Sequence, residues 1–240
     1  MGNCDVMRKI PAWIEAQKTE EDFWNEIIRD DHAILRVLAD NSEKAPAIRR
    51  TLPRIPDTAL EVGVGPLGLG IIGFLPEIEH RFAVDPQLPV ALGPSGSNAL
   101  RDFIRLRRVP IRYAVGCGEE IPVRSESVEL VICCNVLDHA SDPTAILREI
   151  HRVLKPNGMF YFDVHTFSVF GLLKWHSYTK HAKKDEVLVK AHPYRMYEAD
   201  VVRKLRASGF SVQKLEGHTF TSNLMGHART STFLGTKCLA

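Results

Sequence analysis

The run Glu61-Val62-Gly63-Val64-Gly65-Pro66-Leu67-Gly68 joins bare backbone to a carboxylate. Gly63 and Gly65 permit a tight turn and a close approach of main chain to ligand, and Gly68 permits close packing of the next segment against a strand. Asp85 comes roughly 20 residues later, the distance at which an acid ending the next strand can grip two ribose hydroxyls. Together these features point to a nucleoside cofactor. Glu61 narrows the choice, because a carboxylate at the mouth of the turn repels a pyrophosphate and suits an ammonium group. S-adenosylmethionine carries an ammonium and a sulfonium and no phosphate, so it fits better than a nicotinamide dinucleotide.

These residues need a scaffold that puts them on one edge. Thr58 to Val62 reads as a strand leading into the turn, and an apolar helix is expected near Leu67 to Leu75. Arg81 to Asp85 is the next strand. A Pro/Gly-rich loop from Pro86 to Gly96 leads to a helix from about Asn98 to Arg107, and Ile111 to Val115 is a third strand. Val128 to Cys134 is apolar nearly throughout, as a strand buried on both faces should be. Pro143 to Leu154 is a helix with an inner stripe of Ile146, Leu147, Ile150, Val153 and Leu154. Asn157-Gly158 turns into a fifth strand, Met159 to Val164. This alternation predicts a doubly wound, Rossmann-like α/β sheet. Tyr197 to Ser208 is a helix, and Phe210 to Leu215 with Ser231 to Lys237 read as an antiparallel C-terminal hairpin. Residues 11 to 50 read as helical, with Thr19 and Asp22 resembling a weak capping box. Residues 1–52 form either a lid or a helical cover on a sheet edge, ahead of a domain spanning 53–240.

The chain from about Leu60 to Val164 resembles the class I S-adenosylmethionine-dependent methyltransferases, in the branch that includes ubiquinone and menaquinone biosynthesis enzymes. The glycine turn carries part of the resemblance. Gly118-Glu119-Glu120-Ile121-Pro122, the strand and loop Ser127 to His139, and the helix and turn Leu147 to Gly158 carry the rest, in the family's order. The resemblance implies that Glu61 and Gly63 face the methionine end, Gly65 the middle and Asp85 the ribose. It places Gly118 and Glu119 at the adenine edge and Asn135 beside the methionine portion. It also implies a seven-stranded sheet whose last strand is antiparallel and inserted. Cys117 departs from the pattern, which often has aspartate there. Asn157 stands where glycine is usual, and Asn tolerates a left-handed turn.

Methyl transfer is an in-line displacement at carbon, so placement of the acceptor does much of the work. An oxygen acceptor also needs a base. His139, after the fourth strand, is the first candidate, with the alternative that it caps a turn or packs under the cofactor. His165, after the fifth strand, is the second. Residues 165–195 contain Phe167, Phe170, Trp175, His176, Tyr178, His181, His192 and Tyr194, which form either an acceptor pocket or a loop with its own small core. Aromatics with a few polar groups suit an aromatic or apolar small molecule. No metal is expected: His176 and His181 lack partners at metal spacing, and Asn135 replaces the glutamate of metal-binding quinone O-methyltransferases.

The formal net charge of +2 does not argue for nucleic acid. No run is apolar and long enough to span a bilayer, and Met1 to Ile10 has no signal-peptide core. The five cysteines, with no CxxC spacing, are expected as reduced thiols in a cytoplasm. Two other readings remain at this point: an NAD-dependent oxidoreductase, and a methyltransferase-like fold acting as a non-catalytic binding protein.

Overall fold

The computed structural model describes residues 11–87, 101–102, 105, 110–168, 170–171, 173, 194, 196–219 and 228–238. Strands β1 (Thr58–Val62), β2 (His80–Asp85), β3 (Ile111–Val115), β4 (Val128–Cys134) and β5 (Leu154–Phe167) run parallel. Helix α3 (Pro143–Val153) connects β4 to β5. The two-residue strand β6 (Met196–Tyr197), helix α4 (Glu198–Ala207), β7 (Phe210–Glu216) and β8 (Ala228–Lys237) complete the chain. The sheet order is β3-β2-β1-β4-β5-β8-β7, with β6 paired to β5 off that path. Strand β8 is antiparallel to both β5 and β7, which is the inserted last strand expected from the hairpin.

Alternation along β4 explains why its sequence is apolar throughout. Val131 and Cys133 join the core cluster that takes in Ile146, Leu147 and Ile150 of α3 with Val201 and Leu205 of α4. Leu130 and Ile132 point the other way, into the cluster holding Ala45, Ile48, Ile71 and Ile72. Side chains two apart share a face, so covering both faces requires apolar residues at every position. The carboxyl ends of β1 and β4 adjoin where the strand order reverses, the place where open α/β sheets bind ligands.

Two features position the loops on that edge. Asp142 caps α3 by accepting from the Thr144 and Ala145 N–H groups at 2.9 and 3.1 Å, with Pro143 in the first turn. Near the other end of α3, Arg152 donates to the carbonyls of Ile121 and Val123, both at 2.9 Å, and pairs with Glu149, which accepts from the Ile121 N–H at 2.8 Å. This clamp ties the loop after β3 to the helix.

The expected helix at Leu67 to Leu75 is absent. Only a four-residue 3-10 turn, Ile71–Phe74, comes after the glycines. Gly68, Gly70 and Gly73 each disfavour helix, and Pro66 and Pro76 bound a segment too short to offset them. The N-terminal helices cover the gap. Helix α1 (Pro11–Ile27) and helix α2 (Asp31–Thr51) are separate, and Trp24, Ile27, Val37 and Leu38 pack with Ile34 over Leu67 and Leu69. The break is set by Asp30, whose side chain accepts from the His32 N–H at 2.9 Å. Thr19 is no cap: its hydroxyl donates to the Glu15 carbonyl inside α1. Strand β5 starts earlier than the expected Met159 to Val164, because Leu154 pairs with Val128 of β4, and ends later, because β8 pairs with it as far as Phe167. Most of the helix expected near Asn98 to Arg107 lies outside the described residues.

Candidate active site

The carboxyl edge at β1 and β4 opens into one cavity. Its lining includes Glu61, Gly63, Gly65, Asp85, Gly118, Glu119, Asn135 and His139. Gly68 and His165 do not line it. Gly68 instead lies against Tyr113 of β3, whose hydroxyl donates to its carbonyl at 3.0 Å. His165 is exposed on β5 opposite Thr230. Trp175, His176, Tyr178, His181 and His192 lie outside the described residues, whereas Tyr194 donates from its hydroxyl to the Ser141 carbonyl at 2.7 Å.

The glycines are needed for shape. Gly63 and Gly65 have φ of +80° and +71°. A Cβ on Gly63 would meet Val136 at 2.3 Å, and one on Gly65 would meet the Trp24 ring at 2.7 Å. Asn135 also takes a left-handed conformation, φ 54°, and Asn157 likewise, at 61°.

Each acid is held by backbone donors. Glu61 accepts from the Ile71 and Ile72 N–H groups at 3.0 and 2.8 Å, capping the 3-10 turn. Burial pushes its carboxyl up to about 7 against those two bonds and nearby Lys44, which pull it down. Asp85 accepts from the Gly65 and Gln87 N–H groups at 2.8 and 2.9 Å. Burial raises it to about 6, and the Glu20 charge adds to the rise. Glu119 accepts from the Ser141 main chain and hydroxyl at 2.9 and 2.8 Å, so it braces the loop after β4.

Several lining residues give no signal as site residues in the sequence. Trp13, Gln17, Glu20 and Trp24 share one face of α1 and all line the cavity. Their helical spacing is visible, but nothing local says what that face covers. Lys44 of α2 also lines it and donates to Asp163 at 2.8 Å. Burial works against this ammonium, but neighbouring negative groups, Asp163 among them, raise it on balance. The same Asp163 side chain accepts from the Asn135 N–H at 2.9 Å. Lys44 and Asp163 are 119 residues apart, beyond any sequence pattern. Glu20 Oε1 lies 3.1 Å from His139 Nδ1, and Asn135 Nδ2 lies 3.4 Å from His139 Nε2.

Cys117 lines the cavity and is disulfide-bonded, so the expectation of reduced thiols fails at that position. Cys133, Cys134 and Cys238 are free. Among the described residues, no cluster of His, Cys, Asp and Glu could hold a metal ion, and no helix is long and apolar enough to cross a membrane.

A family profile described as a methyltransferase domain matches residues 79–162. The chain is 44% identical over 55 residues to the human thiol S-methyltransferase TMT1A, covering 22% of each chain. It is 39% identical over 46 residues to the ubiquinone biosynthesis O-methyltransferase of Pseudomonas syringae, covering 19% of this chain and 18% of that one. It is 25% identical over 136 residues to the uncharacterized methyltransferase YcgJ of Bacillus subtilis, covering 56% of this chain and 49% of that protein. The crystal structure of YcgJ superposes with a TM-score of 0.61 at 15% identity, over 82% of this chain and 99% of that one. The chain carries a methyltransferase-domain match over residues 79–162 and shares its fold with YcgJ. It spans about half the length or less of the curated relatives it matches.

The cavity fits a cationic nucleoside on its own chemistry. Glu20, Glu61, Asp85 and Glu119 line it, against Lys44 as the one Lys or Arg among its described lining residues. Burial raises two of these carboxyls, Glu61 to about 7 and Asp85 to about 6, and a cationic ligand beside them favours their charged forms. The left-handed glycines supply bare backbone beside those acids.

Proposed function

We propose that this chain transfers a methyl group from S-adenosylmethionine to a small-molecule acceptor with an aromatic or apolar body. The observation that carries the reading is the convergence of Glu61, Gly63, Gly65, Asp85, Gly118, Asn135 and His139 on one acid-lined cavity. Gly63 and Gly65 accept close approach of the cofactor, Asp85 holds its ribose, and Gly118 borders its adenine. Glu61 and Asn135 serve the methionine end. The cofactor supplies an activated methyl on a positive sulfur, whose charge disappears as that bond breaks.

His139 takes the acceptor's proton where the acceptor is an oxygen or sulfur acid. Its ring is almost fully buried beside Asn135, whereas His165 stands outside the cavity, so the reading rests on His139. Residues 1–52 act as a lid, because one face of α1 forms a wall of the cavity. Trp13 and Trp24 on that face offer flat apolar surface to an acceptor. A nicotinamide dinucleotide is disfavoured because its diphosphate would lie against buried Glu61.

A second reading takes the acceptor from RNA. It is favoured by 28% identity over 93 residues to the tRNA U34 carboxymethyltransferase of Campylobacter jejuni, covering 39% of this chain and 26% of that protein. The net charge of +2 weighs against it. The test is to incubate the protein with methyl-labelled cofactor and a cell extract split into small-molecule and RNA fractions. Label is expected in a small molecule, at a rate abolished with heat-killed protein. Label in RNA alone supports the second reading, and label in neither fraction contradicts methyl transfer.

A further inference from the structure

We infer that Glu20 of α1 is a positioning residue that holds His139 in its Nδ1-protonated tautomer and leaves Nε2 as the proton-accepting atom of the site. The inference rests on the methyl-transfer reading only for its purpose, since a base matters where an acceptor must lose a proton.

Two contacts made from different elements select the same tautomer. A carboxylate accepts and never donates, so the Glu20 Oε1 contact at 3.1 Å calls for a hydrogen on Nδ1. The contact does not have the geometry of a formed hydrogen bond, so the hold of Glu20 on that hydrogen is chiefly the pull of its charge. An amide nitrogen donates and never accepts, so Asn135 Nδ2 at 3.4 Å calls for a lone pair on Nε2. Free histidine prefers the opposite tautomer, with its hydrogen on Nε2. The site therefore imposes a form that the side chain would not choose alone. The Asn135 contact is long for a hydrogen bond and gives way readily to an incoming acceptor.

Carboxylates approach the ring from more than one element. The charged groups facing the ring are Glu20 from α1 and Asp138 from the loop after β4, whose Oδ1 lies 3.9 Å from Nε2, beyond hydrogen-bond reach and so a weaker pull than the 3.1 Å contact of Glu20. Glu119, on the loop after β3, lines the same cavity and binds Ser141, two residues from His139. His139 is 8% exposed and the Glu20 side chain 24%, so solvent screens their attraction only in part. When Nε2 takes the acceptor's proton, the imidazolium keeps its Nδ1 hydrogen on Glu20. The acceptor's freed electron pair bonds to the methyl carbon, and the pair of the carbon–sulfur bond stays with sulfur. The proton leaves His139 for water afterwards. Glu20 also presses electrostatically on Asp85, which puts it over the cavity from the ribose acid to the base.

The test needs no acceptor. Protein labelled with ¹⁵N-histidine is recorded by long-range proton–nitrogen correlation at pH 8, and His139→Gln identifies the signal. The wild type should show a protonated Nδ1 and a bare Nε2. Glu20→Ala should revert to the Nε2-protonated form. Glu20→Gln should keep the native tautomer, because its amide oxygen still accepts, while the imidazolium pKa falls by about one pH unit with loss of the negative charge. A wild-type ring protonated on Nε2, or a Glu20→Gln ring that titrates as the wild type does, would overturn the inference. Affinity of the wild type for S-adenosylhomocysteine is measured alongside. Its absence would sink the methyl-transfer reading while leaving the tautomer result to stand on its own.

Discussion

Burial holds the Glu61 carboxyl at about 7, well above an ordinary glutamate, and that has a cost. Below pH 4.5 the group is protonated folded or unfolded and contributes nothing against stability. Between there and about 7 the unfolded chain loses its proton and the folded chain keeps it. Stability from this group is thus present at low pH and lost as pH rises through about 7. Glu61→Gln removes the titration and keeps an acceptor for the Ile71 or Ile72 N–H. The ligand-free variant should gain on the order of 2–3 kcal/mol over the wild type at pH 8 relative to pH 5, read from paired denaturant melts. Equal pH dependence in the two proteins would show that the carboxyl is not buried as described. Asp85 is proposed to hold the ribose. Asp85→Ala should weaken S-adenosylmethionine binding by about 1.5–3 kcal/mol, the value of a charge-assisted hydrogen bond, in a calorimetric titration.

At the scale of elements, the glycine turn is packed as well as bent. Gly65→Ala puts a methyl 2.7 Å from the Trp24 ring at a φ of +71°. The mutation should cost about 1–3 kcal/mol of stability, seen as a lower melting temperature, because both strain and overpacking act there. The strands on either side of that turn are legible in the sequence because their signals are local. Val128 to Cys134 is apolar nearly throughout and buried on both faces, and Asp85 ends its strand as the spacing requires. The helix expected after Gly65 fails because the apolar residues Leu67, Leu69, Ile71 and Ile72 only look like a stripe. They are buried, but Ile71 and Ile72 against α2 and Leu67 and Leu69 against both N-terminal helices, and not along a helix of their own. What the α1 face covers is not legible at all. Trp13, Gln17, Glu20 and Trp24 are one helical stripe among many, and the partner of Glu20, His139, comes from a loop more than a hundred residues away.

Over the whole molecule, the fold gathers acids at one sheet edge, and among the described lining residues they outnumber the Lys and Arg. Glu20, Glu61, Asp85 and Glu119 share a cavity with Lys44, which is itself engaged by Asp163. A neutral or anionic ligand gains nothing from that arrangement. A sulfonium nucleoside lets Glu61 and Asp85 ionise, so its binding should release protons and tighten as pH rises through about 6 to 7. The measurement that bears most directly on this account is calorimetric titration of the protein with S-adenosylmethionine at pH 6 and pH 8, each in two buffers of different ionisation enthalpy. The account predicts micromolar binding, at least several-fold tighter at pH 8, with protons released to the buffer at pH 6. No heat with S-adenosylmethionine at either pH, while NADH titrates normally, would contradict it.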